Sequence, residues 1–328
     1  MTDYKGIKGF TIQNVSSDPS NPIIGQIWYN STSGTFKGEV VGVGAWSSGG
    51  TLNNARRQTT CAPDGTPTAG LLFGGNPGPV EAKTETYNGT SWTELADLNL
   101  GRYEAGGGGT QAAALAFGGY SSPAVDAVTE SWNGTSWTEV NDMNVAGRGL
   151  GSCGTQVAAL AIGGGRLPGE TITAAVEQWN GTSWTEVNDL NTGRRYIPSA
   201  GTVTAALVMG GHQSPAGPAT TDITESYNGT SWTEVGDLNT ARYNAIGFGI
   251  QTATLAASGS TPSNVAITEQ WNGTSWNETT DLASARTSAG GGGTTSDGLI
   301  AAGYVSASIN ISEEWTKPET TTVTVTTS

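Results

Sequence analysis

Residues 87–94 read Tyr-Asn-Gly-Thr-Ser-Trp-Thr-Glu, and the same phrase returns four more times along the chain with few changes. The further copies occupy residues 132–139, 179–186, 227–234 and 271–278. The second aromatic residue of every copy is a tryptophan, and successive tryptophans lie 44 to 48 residues apart. A repeat of this length, rich in glycine and in short β-type runs, is typical of the blade of a β-propeller.

The repeat that follows Arg102 divides into four predicted strands. They are a glycine-rich strand at 103–111, a small apolar strand at 112–119, and larger strands at 127–132 and 135–140. Asn133-Gly134 separates the last two strands and is the dipeptide favoured in two-residue type I′ turns, because both positions tolerate a positive φ. Small inner strands and larger outer strands suit a sheet that is wedged against a narrow axis.

Counting strands predicts the number of blades. Five complete repeats run from about Arg56 to Asp281, and a sixth begins at Arg286 but ends after its third strand at about residue 316. A degenerate copy of the outer strand lies early in the chain, around Trp46, and supplies the missing strand. Pairing of this N-terminal strand with the last blade closes the ring and removes open sheet edges. The predicted fold is therefore an all-β, six-bladed propeller with four antiparallel strands per blade.

Composition excludes several classes of partner. The 328 residues carry a formal net charge of −14, whereas nucleic acids and anionic membranes are bound by basic surfaces. No apolar run approaches the roughly 18 residues of a membrane span, and residues 1–8 lack the apolar core of a signal peptide. We therefore expect no nucleic-acid partner, no membrane insertion, and synthesis in a cytoplasm.

The repeats divide the chain into three predicted parts: an N-terminal docking hairpin or arm at 1–37, the propeller at 38–316, and a tail at 317–328. The tail alternates threonine and valine and favours an extended strand. It is either a frayed end or a strand added to a neighbouring subunit, which makes a homo-oligomer conceivable. Cys61 and Cys153 both lie five residues after an arginine, and we expect equivalent, free thiols that fill small packing positions.

The repeat resembles that of kelch and galactose-oxidase-like propellers over residues 40–316. The resemblance rests on paired glycines that follow an apolar run and precede spaced aromatic residues. These pairs are Gly74-Gly75, Gly118-Gly119, Gly163-Gly164 and Gly210-Gly211. The pattern weakens to Ser258-Gly259 and Ala302-Gly303 in the last two repeats. Galactose oxidase implies a copper site of tyrosines and histidines, and His212 is the single histidine here, so that activity does not carry over.

Charged residues that recur in every repeat favour a structural role. One arginine per repeat is expected to pair with a third-strand glutamate, because charges within stacked sheets need partners. The arginines are Arg56, Arg102, Arg148, Arg194, Arg242 and Arg286, and the glutamates are Glu85, Glu130, Glu177, Glu225, Glu269 and Glu313. Repeated aspartates are expected to bond backbone amides rather than calcium. Because no unrepeated set of acid, base and arginine is evident, we predict no catalytic residue, metal or cofactor.

The loops between second and third strands vary in every repeat, whereas the other turns are nearly invariant. These variable loops are 76–83, 120–126, 166–173, 212–221, 261–265 and 305–310. Variation on a fixed scaffold is how binding surfaces are built, although drift in loops without contacts gives the same pattern. The conspicuous side chains, and hence the predicted ligand-binding residues, are Tyr120, Arg166, His212 and Tyr304.

The segment 25–37, Gly-Gln-Ile-Trp-Tyr-Asn-Ser-Thr-Ser-Gly-Thr-Phe-Lys, is similar to a short motif of structural and fibre proteins of tailed bacteriophages. The resemblance implies a virion protein mounted through residues 1–37, with Trp28, Tyr29 and Phe36 as docking residues. The propeller would then meet a host-surface glycan or receptor, or another virion protein. The alternatives are a hairpin that merely packs on the propeller, and an intracellular kelch-type scaffold for protein interactions.

Overall fold

The computed structural model describes residues 12–20, 22, 25–166, 171–213, 220–317 and 320–325, and all regular elements of this part of the chain are β-strands. The chain forms two compact units. We call Met1–Gly44 with Lys317–Ser328 the terminal unit, and Ala45–Thr316 the propeller unit. The described residues include no helix with the length and apolar character needed to cross a membrane.

Six four-stranded antiparallel sheets form the blades of the propeller unit. From inner to outer strand, blade 1 consists of Thr60–Cys61, Gly70–Phe73, Thr84–Tyr87 and Trp92–Glu94. Blade 2 consists of Gly106–Gly109, Ala114–Phe117, Thr129–Trp132 and Trp137–Val140. Blade 3 consists of Gly151–Thr155, Ala158–Ile162, Val176–Trp179 and Trp184–Val187. Blade 4 consists of Ser199–Thr202, Ala205–Met209, Thr224–Tyr227 and Trp232–Glu234. Blade 5 consists of Ile246–Ile250, Ala253–Ala257, Thr268–Trp271 and Trp276–Glu278. Blade 6 consists of Gly290–Gly293, Asp297–Ala301, Ser312–Thr316 and, as its outer strand, Ala45–Ser48. A small sheet of Gly147–Arg148, Gly165–Arg166 and Thr171–Ile172 accompanies blade 3.

The ring is closed by the N-terminal strand, as the strand count predicts. First strands of neighbouring blades contact one another in a closed cycle, and Trp46 of Ala45–Ser48 lies opposite Trp315 in blade 6. The indole Nε1 of Trp46 donates to Thr268 Oγ1 of blade 5 at 3.1 Å. Three other outer-strand tryptophans make the same bond to a threonine of the preceding blade: Trp137, Trp184 and Trp276. Trp46 therefore resembles the outer-strand tryptophans of the other blades in the bond it makes as well as in its sequence context.

The Asn-Gly turns differ from the predicted two-residue type. Trp132 pairs with Trp137, so the loop between them has four residues, and only Gly134 of the Asn-Gly dipeptide has a positive φ. The side-chain oxygen of Asn133 accepts hydrogen bonds from the N–H groups of Thr135 and Ser136, each at 2.9 Å. This side-chain bonding replaces the tight backbone turn, because it satisfies two amides while asparagine keeps a negative φ.

The repeated aspartates bond backbone amides, as expected. Each accepts a hydrogen bond at 2.9 to 3.3 Å from the first N–H group of the third strand in its own blade. These residues are Asp97, Asp142, Asp189, Asp237 and Asp281. The bond fixes the exit of the outer strand against the entry of the third strand in five of the six blades.

The terminal unit is one four-stranded sheet built from both ends of the chain. Its order is Gln13–Val15, Ile27–Asn30, Thr35–Val41 and Thr320–Thr324, with the first pair parallel and the others antiparallel. The tail is thus neither a frayed end nor a strand for a neighbour, since Thr320–Thr324 pairs with Thr35–Val41 of its own chain. The unit boundary falls at Gly44, not at residue 37, because the second strand of the hairpin extends to Val41.

The two cysteines occupy different positions, contrary to the sequence comparison. Cys61 lies opposite Leu72 in blade 1, and the equivalent pair in blade 3 is Ser152 with Ala161, so Cys153 is one residue further on. Both are free and buried, and burial raises the pKa of each thiol to about 12.

Candidate functional site

The variable loops share one face of the propeller unit with the entrances to the first strands. This follows from the antiparallel order of each blade, because alternate connections lie at the same end of the sheet. Six residues that enter the first strands form what we call the axial ring: Gln58, Glu104, Gly149, Tyr196, Asn244 and Ser288. Each N–H group of the ring donates to the carbonyl of the ring residue in the preceding blade, at 2.7 to 3.2 Å.

The axial ring holds a backbone conformation that L-residues rarely adopt. All six residues have φ between 51° and 60°. Five of them are not glycine, and such a conformation persists only where surrounding structure over-determines it. The closed circle of six hydrogen bonds provides that constraint. It surrounds a cavity of about 130 Å³ whose lining includes Glu104, Tyr196, Ser152 and Ser199.

Glu104 is the centre of an unrepeated polar cluster on this ring. Gln58 of blade 1 donates through Nε2 to Glu104 Oε1, and the hydroxyl of Tyr196 in blade 4 also hydrogen-bonds the carboxylate. Arg148 Nη1 lies 3.5 Å from Glu104 Oε2. Tyr196 reaches across blade 3 because that blade has Gly149 in the ring: a Cβ atom there would lie 2.8 Å from the tyrosine ring. The structure thus brings together an acid, a tyrosine and an arginine where the sequence shows no such set.

The Glu104 side chain is only 7% exposed, and its burial changes its acidity. Burial raises the pKa of Glu104 above its ordinary value, while Arg148, Gln58, Arg195 and Tyr196 act in the opposite direction. Burial, followed by the neighbouring Glu104, also raises the pKa of Tyr196 to about 12. The cluster therefore holds a carboxyl group that retains its proton to a higher pH than an exposed glutamate.

This shift predicts a pH dependence of stability. Between the ordinary pKa of 4.5 and the higher folded value, the folded state binds more protons than the unfolded state. The contribution of Glu104 to the free energy of unfolding therefore falls as pH rises through that window, and is constant above it. Denaturant unfolding at a series of pH values measures this effect. As pH rises through the window, the free energy of unfolding of the wild type should fall relative to that of Glu104→Gln. The exposed Glu139→Gln is the control, and parallel pH curves for wild type and Glu104→Gln would contradict the assignment.

A second layer of side chains surrounds the axial ring. It consists of the residues that immediately precede the ring residues, each bridged to a residue at the start of a variable loop or directly before it. The pairs are Arg57 with Asn76, Tyr103 with Tyr120, Arg148 with Gly165, Arg195 with His212, Tyr243 with Ser260, and Thr287 with Tyr304. Tyr120, His212 and Tyr304 of the predicted set therefore occupy one equivalent position in alternate blades.

Contacts between neighbouring blades connect this layer. The guanidinium of Arg57 lies 4.7 Å from the ring centre of Tyr304, and that of Arg148 lies 4.9 Å from the ring centre of Tyr120. His212 is nearly buried and meets the ring of Tyr243 edge-on at 5.6 Å. Tyr120 and Tyr304 thus line the face as half-buried aromatic surfaces, and each is held by an arginine.

Arg166, the remaining residue predicted to bind a ligand, does not lie on this surface. It is 4% exposed and pairs with Glu177 of its own blade. In the other five blades the repeated arginine makes this pair, with both side chains at most 4% exposed. Gly147 stands at the equivalent position in blade 3, and Arg166 enters from the variable loop to fill the vacated space. Arg148, predicted as the structural residue, instead lies beside Glu104.

The spacing between an asparagine and the arginine of each repeat indicates that Arg148 is not the partner of Glu177. In blades 1, 2, 4 and 5 the third-strand glutamate also accepts a hydrogen bond from the N–H group of an asparagine that precedes the arginine by three residues, as in Asn99 and Arg102. In blade 3 the asparagine is Asn144, so a spacing of three leads to Gly147 and Arg148 is one residue too late. The residues of the Glu104 cluster carry no such signal, because each occurs in one blade only.

The predicted docking residues of the terminal unit lie on opposite faces of its sheet. Trp28 is fully buried and donates through Nε1 to Asp18 Oδ1 at 2.9 Å, so it cannot be a docking contact as predicted. Tyr29 and Phe36 are cross-strand partners on the other face, with ring centres 5.1 Å apart, and both are half-buried. Strand alternation explains the difference, since neighbouring residues in a strand point to opposite sides.

No protein-family model and no curated protein sequence matches this chain. Among solved structures, 285 chains match. One of them is a structure of YjhT, which aligns with 80% of this chain and 95% of its own chain at a TM-score of 0.65 and 12% sequence identity. A likeness at this identity concerns the fold alone. Together with the six stacked sheets, it shows that the chain has a β-propeller fold.

Proposed function

We propose that this protein is a non-enzymatic structural protein of a tailed-bacteriophage virion, in its tail, fibre or another surface appendage, and that it displays its propeller for binding. The observation that carries the proposal is an exposed apolar face on the terminal unit, which includes part of the segment 25–37 that resembles phage structural proteins. One face of the sheet presents Ile27, Val40, Val323 and Val325, each 37 to 42% exposed, around Tyr29 and Phe36.

The charge of the chain is distributed unequally between the two units, which supports different roles for them. Residues 1–44 and 317–328 contain four lysines and four acidic residues, so the net charge of −14 lies entirely in Ala45–Thr316. A unit without net charge does not repel another protein, and its apolar face suits the core of an interface, where charged residues are depleted. The acidic propeller unit favours solubility and resists non-specific association. This arrangement supports mounting through the terminal unit and display of the propeller.

Binding rather than catalysis is proposed for the propeller because Glu104, the carboxyl group that lines the cavity within the axial ring, is already engaged. Gln58, Arg148 and Tyr196 all contact Glu104, which exposes little surface to a substrate. The proposal involves no cofactor and no metal. The variable-loop face, with Tyr120 and Tyr304, is the surface offered to a host glycan, a receptor or another virion protein.

Antibody-gold labelling of purified virions tests the proposal. Wild-type protein should label one structural position, and Phe36→Ser should reduce the label at least about tenfold, because about 1.4 kcal/mol of lost apolar contact corresponds to that factor. Val157→Ser, which removes an exposed apolar side chain (61%) of the propeller unit, should leave the label unchanged. Unlabelled virions with protein found only in infected-cell lysate would overturn the proposal in favour of an intracellular scaffold.

A further inference from the structure

The tail strand Thr320–Thr324 forms one edge of the sheet of the terminal unit. It stays in its own sheet, where one side of it pairs with Thr35–Val41, and no strand among the described residues pairs with its other side. We call this other side the tail edge. Residues 322–325 are all exposed, so the tail edge is open to solvent. An open strand edge is a template for another strand, because its backbone groups lack partners.

The hydrogen bonds of the sheet show which backbone groups point out of the tail edge. Val325 donates its N–H to the carbonyl of Phe36 at 2.9 Å, so its backbone faces into the sheet. Glu39 lies opposite Thr322, but its own N–H and carbonyl groups bond residues 26 and 25 on its other side. Because inward and outward groups alternate along an antiparallel strand, the outward groups are those of residues 320, 322 and 324.

The tail edge differs from the outer strands of the blades and from the opposite edge of its own sheet. The outer strands of blades 1 to 5 have three or four residues, and each carries an exposed glutamate: Glu94, Glu139, Glu186, Glu234 and Glu278. The outer strand of blade 6 has four residues, and the opposite edge, Gln13–Val15, has three. Thr320–Thr324 has five residues and contains neither a charge nor a proline. It therefore lacks the features that normally prevent edge-to-edge pairing, which are short length, charge and proline.

We propose that the tail edge pairs antiparallel with the tail edge of a second copy of this chain, about a two-fold axis at Thr322. All three residues whose backbone groups point outwards are threonines, so the edge is complementary to itself. Thr322 then lies opposite Thr322 of the second copy, and such threonine pairs stabilise a sheet. About six backbone hydrogen bonds join the two copies. The terminal unit has four lysines and four acidic residues, so two terminal units do not repel each other through net charge.

The same axis joins the apolar faces of the two terminal units. Val323 and Val325 belong to that face and are 37% and 42% exposed at the edge of the sheet. A two-fold axis normal to the sheet keeps the same face of both copies on one side, so the two faces become one surface. Pairing of five residues is a small interface, and association is therefore reversible and depends on protein concentration. The inference goes beyond the proposed function, since self-association requires neither a virion nor a ligand.

Sedimentation equilibrium of the full-length protein tests this inference. The mass of the wild type should rise from monomer towards dimer as concentration increases. Thr322→Pro removes the outward N–H, which an edge strand tolerates within its own sheet, and should weaken association at least about thirtyfold, because each copy loses one backbone hydrogen bond. Thr322→Ala is the matched control. It also loses the hydroxyl that donates to Glu39 Oε2 at 2.9 Å, but it keeps the N–H and should weaken association by no more than about fivefold.

Cross-linking measures the register and does not depend on the folding of the proline variant. In Thr322→Cys the two introduced thiols lie directly opposite each other, within reach of a disulfide. In Thr324→Cys they lie on either side of the axis, more than about 10 Å apart and beyond that reach. Oxidised glutathione should therefore convert Thr322→Cys to a covalent dimer at least about tenfold faster than Thr324→Cys. The native thiols of Cys61 and Cys153 are buried and do not take part.

Three results would overturn the inference. A monomer at all concentrations up to about 1 mM would leave the tail edge to a strand of a different protein. Equal association of Thr322→Pro and Thr322→Ala, or equally fast cross-linking of Thr322→Cys and Thr324→Cys, would show that copies associate through another surface or register. Labelling of virions is measured separately. A dimer without virion label would overturn the proposed function alone, and labelled virions with a monomer in solution would overturn the pairing alone.

Discussion

Arg166→Ala is expected to lower the free energy of unfolding by about 3–5 kcal/mol, because it leaves the buried carboxylate of Glu177 without its partner. Arg166 also donates to the backbone carbonyls of Gly163, Ala161 and Ala175, which would lose a charged donor. Arg148→Ala, which the repeat pattern identifies as the equivalent change, should cost less, because Glu104 keeps Gln58 and Tyr196 as hydrogen-bond partners when this 3.5 Å ion pair is lost. Urea denaturation of the two variants measures the difference.

A second substitution separates the lost ion pair from general damage to the loop. Gly147 has no positive φ, and a Cβ atom placed there would lie 3.2 Å from Cγ of Arg166, so one arginine excludes the other. In Arg166→Ala that space is open, and the added Gly147→Arg should recover most of the lost stability by restoring the arrangement of the other blades. Equal losses for Arg166→Ala and Arg148→Ala, or no recovery in the double variant, would contradict the exchange of roles.

Closure of the ring depends on the four residues Ala45–Ser48, and two fragments that differ only by these residues measure their contribution to stability. Residues 45–316 keep Ala45–Ser48 as the outer strand of blade 6, whereas residues 49–316 leave the edge of Ser312–Thr316 unpaired. The shorter fragment loses the contacts of Trp46 with Trp315 and Phe248, at 5.4 and 6.4 Å between ring centres, and its bond to Thr268. Loss of a packed tryptophan alone costs about 3–5 kcal/mol, so we expect 49–316 to be less stable by about 3 kcal/mol or more.

The exposed edge should also be visible in the association state. An unpaired strand offers free backbone groups to another chain, so 49–316 should self-associate while 45–316 stays monomeric in size-exclusion chromatography with light scattering. Replacement of Trp46 by phenylalanine in 45–316 keeps the strand and most of its apolar surface, and serves as the intermediate case. Similar stability and a monomeric state for both fragments would show that the N-terminal strand is dispensable.

The sequence by itself determined the fold and its closure. The period of 44 to 48 residues, the four strand-like runs in each repeat and the surplus strand at Trp46 are properties of the linear chain. They suffice because a blade forms from neighbouring segments, and because only one number of blades uses every strand. The structural roles of the repeated glutamates and aspartates could also be predicted, since a residue present in every blade meets the same neighbours each time.

Only the tertiary structure decided the functional surface and the exceptions to the repeat. Gln58, Glu104 and Tyr196 belong to three different blades and meet only because the closed ring brings their first strands to one axis. Arg166 acts in the place of Gly147 because a guanidinium that enters from a different backbone position fills the same buried space. Pairing of the tail with Thr35–Val41 joins residues almost three hundred positions apart. Periodicity carries no information on such contacts, because each is made once, between segments that are distant in sequence.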